Sequence, residues 1–167
     1  MPDIRTQTLR DYFLTLLTAE TQANERTLDS LATVPAIQQT SESYQRALGV
    51  MAHVMIAKRV WMLRVCSETW KVDDWFPAWP IEQTRKEAVE LDAAWRGYLQ
   101  DLPDGGFDRT VVYRMSDGTE AESKVVDIVA HVFNHATYHR GQIARMVHLL
   151  GGSRAATDLI IFTRRKL

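Results

Sequence analysis

The sequence predicts an all-α protein: a four-helix bundle with a small β-hairpin between its third and fourth helices. Three observations carry that reading. Four long stretches place apolar residues at helical spacing, prolines and glycines fall between them, and a run of β-forming residues precedes the last stretch. At 167 residues the chain has the size of one domain, taken as 1–167, with length enough to bury a core.

The first helix is expected from about Ile4 to Leu31, with Leu9, Phe13, Leu16, Leu17 and Leu28 at helical spacing and Arg10, Glu20, Asn24 and Glu25 interspersed. Pro35 lies beyond its end. The second opens at Ser41, a good N-cap, with Glu42 in the first turn, where the helix dipole favours an acid. It continues to about Ser67 along a stripe of Tyr44, Leu48, Met51, Met55 and Met62. A connector follows with Trp70, Trp75, Pro77, Trp79 and Pro80. Its prolines break regular structure, and its tryptophans are expected to pack down because each buries a large apolar area, with ligand binding as the alternative. The third helix is expected from about Ile81 to Leu99, with Val89, Trp95 and Leu99 on its apolar side, ended by Pro103-Asp104-Gly105-Gly106. Val111-Val112-Tyr113-Arg114-Met115 is rich in β-formers and Ser116-Asp117-Gly118 signals a turn, which predicts the hairpin. The fourth helix is expected from about Val125 to Leu150, stopped by Gly151-Gly152, since glycine tolerates the left-handed conformation that caps helices. Leu159-Ile160-Ile161-Phe162 is too apolar to dangle and is expected to dock on the helices.

Composition narrows the function. Hydrophobic content of 46% and charged content of 25% are ordinary for a soluble globular protein. Twenty Lys plus Arg against 21 Asp plus Glu leave no basic excess to neutralise phosphates, which argues against nucleic acid as a partner. The one local basic run, Thr163-Arg164-Arg165-Lys166-Leu167, reads as a solvated tail. Cys66 is the single cysteine, so no intrachain disulfide marks an oxidising compartment. The N-terminus has no secretory pattern and no apolar run approaches the ~20 residues that span a bilayer, so no membrane is expected and the cytoplasm is the expected location.

The five histidines hold most of the functional information. His131, His135 and His139 follow one another at i, i+4 steps on the fourth helix. Each step turns about 40° past a full circle and rises about 6 Å, so His135 and His139 share a face one turn apart and can point at a common ion. His131 and His139 stand about 12 Å apart, too far for one ion. His148 falls on nearly the opposite side and reads as a surface or packing residue near the helix C-terminus. His53 sits midway along the second helix among Val50, Ile56, Ala57 and Val60. It reads either as a hydrogen-bonded core histidine or as a third ligand brought to the pair. The HxxxH spacing lacks the glutamate of the zinc-protease pattern, so by itself it also fits a polar helix face.

The segment from Asp127 to Ile143, with Asn134-His135 followed by His139-Arg140-Gly141-Gln142, resembles the signature of the DinB/YfiT-like family. Met51-Ala52-His53-Val54 is similar to that family's first ligand helix, and Thr157-Asp158-Leu159-Ile160 to its C-terminal segment. The resemblance implies up-down-down-up connectivity, a homodimer, and a three-histidine site for a divalent metal, zinc or nickel. Carried onto this chain, the metal ligands are His53, His135 and His139. One departure is Tyr138, where many members have a second histidine; a ligand is not expected to be lost by it. His131 matches a common family position and takes a supporting role, as a hydrogen bond to a neighbouring helix or a residue at the pocket edge. Arg140 and Gln142 can be read as substrate clamps, and the favoured reading is that they tie the fourth helix to its neighbours. Gly141 is expected to let another helix approach closely.

Three neutral imidazoles leave a divalent ion an open position, which favours chemistry over a structural site. The ion could activate water, or hold a thiol as thiolate for attack on an electrophile, the route some relatives take with a low-molecular-weight thiol. No acidic residue stands out as the general base of a hydrolase, which favours thiol activation of a small-molecule substrate. The expectation is a metal-dependent enzyme, a thiol-dependent S-transferase or isomerase. The alternative is a non-enzymatic metal-binding or stress-response protein. Sequence singles out no catalytic side chain beyond the ligands.

Overall fold

A computed structural model describes residues 8–103, 105–115 and 117–165. Four main helices pack as a bundle: α1 (Leu9–Ala32), α2 (Glu42–Val65), α3 (Ile81–Asp101) and α4 (Val125–Leu149). Between α3 and α4 lies the antiparallel hairpin of β1 (Thr110–Arg114) and β2 (Glu120–Lys124), with Val112 opposite Glu122. A short α5 (Leu159–Thr163) follows.

The helix ends follow local chemistry. Thr8 caps α1 through a capping box with Asp11, and the earlier start expected at Ile4 lies outside the described residues. Ser41 caps α2 by accepting the Tyr44 N–H. At its other end Ser67 takes a left-handed φ of 62°, while the Ser67 and Glu68 amides donate back to Arg64 and Leu63. Gly151, at φ 82°, ends α4 by the same motif: the Gly151 and Gly152 amides donate to His148 and Val147. Asp104 and Ser116 of the expected turns, and Lys166 and Leu167 of the basic tail, lie outside the described residues.

Two apolar cores fix the directions of the helices. One joins Leu28 and Leu31 of α1 to Leu48 and Met51 of α2, Ala88 and Leu91 of α3, and Ile143 and Val147 of α4. The other joins Phe13 and Leu17 to Val65, Trp95, Leu99, Ile128 and Val132. So α1 and α4 enter at the second core and leave at the first, while α2 and α3 run the opposite way. That is up-down-down-up, with α2 and α4 antiparallel neighbours. Parallel α2 and α3 need a long crossover, and the connector supplies it.

A buried chain of charges runs between the cores, with one residue from each helix. Asp92 of α3 pairs with Lys58 of α2, Lys58 Nζ lies 3.7 Å from Glu20 of α1, and Glu20 accepts from Arg140 of α4 at 3.1 Å. All four are buried. Glu20 and Asn24, interspersed polar residues of the first helix, thus face inward, because they serve this network.

Some expectations are corrected. Val89 is 70% exposed and belongs to the outer face of α3, since Ala88, Leu91, Asp92, Trp95 and Leu99 already define the inner one. The connector does not bury its tryptophans: Trp70 and Trp75 are exposed, and Trp79 alone packs partly against the core. Gly141 is not a point of close approach, for a Cβ there would meet nothing within 4 Å. α5 does dock on α1, with Arg26 set 4.7 Å over the Phe162 ring, yet Leu159 and Ile160 remain exposed. Among the described residues no helix is long and apolar enough to cross a membrane.

Candidate metal centre

His53 projects from α2 towards the α4 face that carries His135 and His139. Its Nε2 lies 3.2 Å from His135 Nε2, which lies 3.1 Å from His139 Nε2. The three donor atoms fall within 4.8 Å of one another, and among the described residues no cysteine or carboxylate joins them.

Second contacts decide which ring nitrogen carries the proton. His53 Nδ1 lies 3.1 Å from the Trp75 carbonyl oxygen, which can only accept, so Nδ1 donates. His139 Nδ1 lies 2.9 Å from Gln142 Oε1, again an acceptor. Both rings are therefore held with the proton on Nδ1 and the Nε2 lone pair turned inward, the arrangement that outer partners impose on metal-binding histidines. Burial, with the charges of His139, His53 and His131 added to it, pushes the His135 imidazole down to about 4. Burial likewise lowers His53, with His139 adding to it. With His135 Nε2 between the inward lone pairs of His53 and His139, three neutral imidazoles offer their Nε2 atoms as a donor set that a cation can share. Metal–nitrogen bonds of about 2.0–2.1 Å at tetrahedral angles space donors about 3.3 Å apart, close to the two short separations. The cluster fits a divalent ion.

The connector builds one wall. Phe76 stacks on the His53 ring, with centroids 4.2 Å apart and planes at 14°. It comes this close because Gly49, one turn ahead of His53, has no side chain: a Cβ there would lie 2.6 Å from the Phe76 carbonyl oxygen. Beside His139 a cleft of about 1030 Å³ opens, bordered by Arg46, Phe76, Tyr138, Gln142 and Arg145.

All three histidines singled out in the sequence meet here. His131 stays outside the cluster, its ring 5.6 Å from His135 and edge-on to Trp61 of α2 at 5.2 Å. It holds its place by ring contact, and burial beside Arg64 lowers its pKa. His148 is exposed in the last turn of α4. Arg140 ties α4 to α1 as expected, through Glu20 and Asn24. Gln142 does not tie α4 to a neighbour; it orients His139 within the same helix. Sequence reasoning missed Gly49, Phe76 and the Trp75 carbonyl. The available signal was Gly49 itself, a glycine inside a well-formed helix, which costs about 1 kcal/mol in propensity and so calls for a reason.

Four helices closed around a buried charge network, with three convergent imidazoles between two of them, define a helical-bundle protein whose site can take a divalent metal. Residues 6–166 match the DinB family, and the chain belongs to it. No curated protein and no solved structure matches the chain.

Proposed function

We propose that His53, His135 and His139 are the protein ligands of a catalytic divalent ion, zinc or nickel, in an enzyme acting on a small molecule. The proposed reaction class is thiol-dependent transfer or isomerisation. The observation that carries this reading is the convergence of three Nε2 atoms, two of them with the tautomer fixed from behind, joined by no cysteine or carboxylate among the described residues. Three-ligand sites of this kind keep a position for water or substrate. When bound, the ion supplies a Lewis-acid centre able to hold sulfur as thiolate or oxygen as hydroxide. The protein groups do the rest. The Trp75 carbonyl and Gln142 retain the Nδ1 protons, Phe76 shields the His53 face, and the cleft beside His139 admits the substrate. Among the described residues no aspartate or glutamate joins the three histidines, and thiol activation is the favoured route. Action as a homodimer in the cytoplasm belongs to the same proposal, and sedimentation reads the first part.

Metal analysis of untagged protein, set beside His53→Ala and His135→Ala, tests the ligand set. Stoichiometric metal in the parent and its loss in both variants is expected. Equal, substoichiometric metal in all three would end the proposal. A thiol-conjugation screen against electrophiles then tests the chemistry. Metal-loaded protein without turnover would favour a non-enzymatic metal-binding or stress-response role.

A further inference from the structure

Arginines of the helices and hairpin are almost all engaged. Arg10, Arg26, Arg64 and Arg109 donate to backbone carbonyls, Arg96 donates to a hydroxyl, and Arg59, Arg85, Arg114 and Arg140 pair with carboxylates. On the four main helices, Arg46 and Arg145 alone have no hydrogen bond or ion pair among the described residues. Both border the cleft beside His139. One acid, Glu42, shares its rim, so two guanidinium charges outweigh one carboxylate there. Glu42 also opens α2, whose N-terminus adds partial positive charge to the same end.

Helix geometry places these arginines relative to the histidines. Arg46 precedes His53 by about two turns, about 10 Å along α2, and Arg145 follows His139 by about 9 Å along α4. Because α2 and α4 are antiparallel, both displacements point to the same end of the bundle. The cleft borders His139 and both arginines, so a single elongated molecule lying in it can meet the histidine cluster at His139 with one end and the arginines with the other.

We propose that the cleft binds a small anionic substrate, its carboxylate held by Arg46 and Arg145 and its reactive sulfur at the histidine centre. The proposal rests on the thiol reading of the centre, and a carboxylate tested with and without its thiol separates the two. Planar guanidinium forks suit a carboxylate, and both arginines are exposed, so they wait at the mouth of the cleft with no internal bond to break.

The test is calorimetric titration of zinc-loaded full chain with 6-mercaptohexanoate, its primary amide, and hexanoate. Repetition on Arg46→Ala/Arg145→Ala and on the control Arg154→Ala completes it. The mercapto acid is expected to bind about tenfold more tightly than the amide. The double variant abolishes that preference while leaving amide binding intact, and Arg154→Ala leaves it unchanged. Equal binding of acid and amide by the parent would overturn the proposal, as would a preference that survives in the double variant or no binding of either acid. If hexanoate binds as tightly as the mercapto acid and the arginine dependence persists, the anion site stands and the thiol reading falls.

Discussion

Gly49→Ala sets two opposing effects against each other. In an open helix interior, glycine to alanine stabilises by about 1 kcal/mol, through reduced backbone entropy in the unfolded chain. At position 49 the added Cβ would lie 2.6 Å from the Phe76 carbonyl oxygen, where ordinary contact begins at 3.4 Å. The obstacle is backbone, so the connector must retreat by about 0.8 Å, the difference between those two distances. Phe76 follows Trp75 directly, so the Trp75 carbonyl retreats with it, and its 3.1 Å bond to His53 Nδ1 passes out of range. Loss of a partner behind a metal-binding histidine weakens metal binding about 10–100-fold. Gly97 and Gly141 supply the control, because a Cβ at either meets nothing within 4 Å. Alanine at those positions is expected to raise Tm by about 2–4 °C. Gly49→Ala is expected to give no rise and to weaken zinc in competition with a chromophoric chelator. A Tm increase matching that of Gly141→Ala, with zinc affinity unchanged, would refute the account of the connector.

Gln142→Leu leaves the His139 Nδ1 proton without its acceptor and is expected to weaken metal binding about 10–100-fold in the same competition assay. Unchanged affinity would mean that packing alone orients the ring. Lys58→Met strips Asp92 and Glu20 of the cation between them and is expected to lower unfolding free energy by about 3–5 kcal/mol in urea titration. The double variant Lys58→Met/Asp92→Leu, which removes a charge of each sign, should recover part of that loss. The pH dependence of the metal-free protein follows from His135 and His53. Both resist protonation when folded, His135 down to about 4, whereas the unfolded chain takes up protons from its ordinary value of 6.5. The unfolded state therefore gains as pH falls. Tm is expected to drop between pH 6.5 and about 4, the window over which the two histidines contribute, and His135→Gln should reduce the drop. A Tm that rises through that window would contradict the sign.

Regular periodicity made the helices legible, because a stripe of apolar residues is a local property. Ser41, Gly151 and the β-forming run around Val112 likewise declared a cap, a stop and the hairpin. The His135–His139 pair was visible as spacing on one helix. The family motif, rather than any spacing, pointed to His53, because residues 82 positions apart meet only through tertiary packing. What stayed hidden was whatever depends on a neighbour. Val89 looked apolar and therefore inward, yet the inner face of α3 was already filled. The connector tryptophans looked like core, but the connector's closest approach is made by Phe76 and two backbone carbonyls, groups with no signature in sequence. Lys58 carries no local mark of burial, because its two carboxylate partners are brought to it from other helices.

Glu20 has a consequence for the three-histidine cluster that it never touches. One of its oxygens faces Lys58 of α2 and the other accepts from Arg140 of α4. Those are the two helices that carry the histidines, and Arg140 is the immediate neighbour of His139. Aliphatic side chains are indifferent to a helix sliding past its partner by a turn, about 5.4 Å, so long as the surface stays apolar. A buried carboxylate gripping both helices is not, since such a slip strands an ion in the interior. Glu20 therefore works as a gauge pin: a residue on a third helix sets the relative height of α2 and α4, and with it the alignment of His53 opposite His135 and His139.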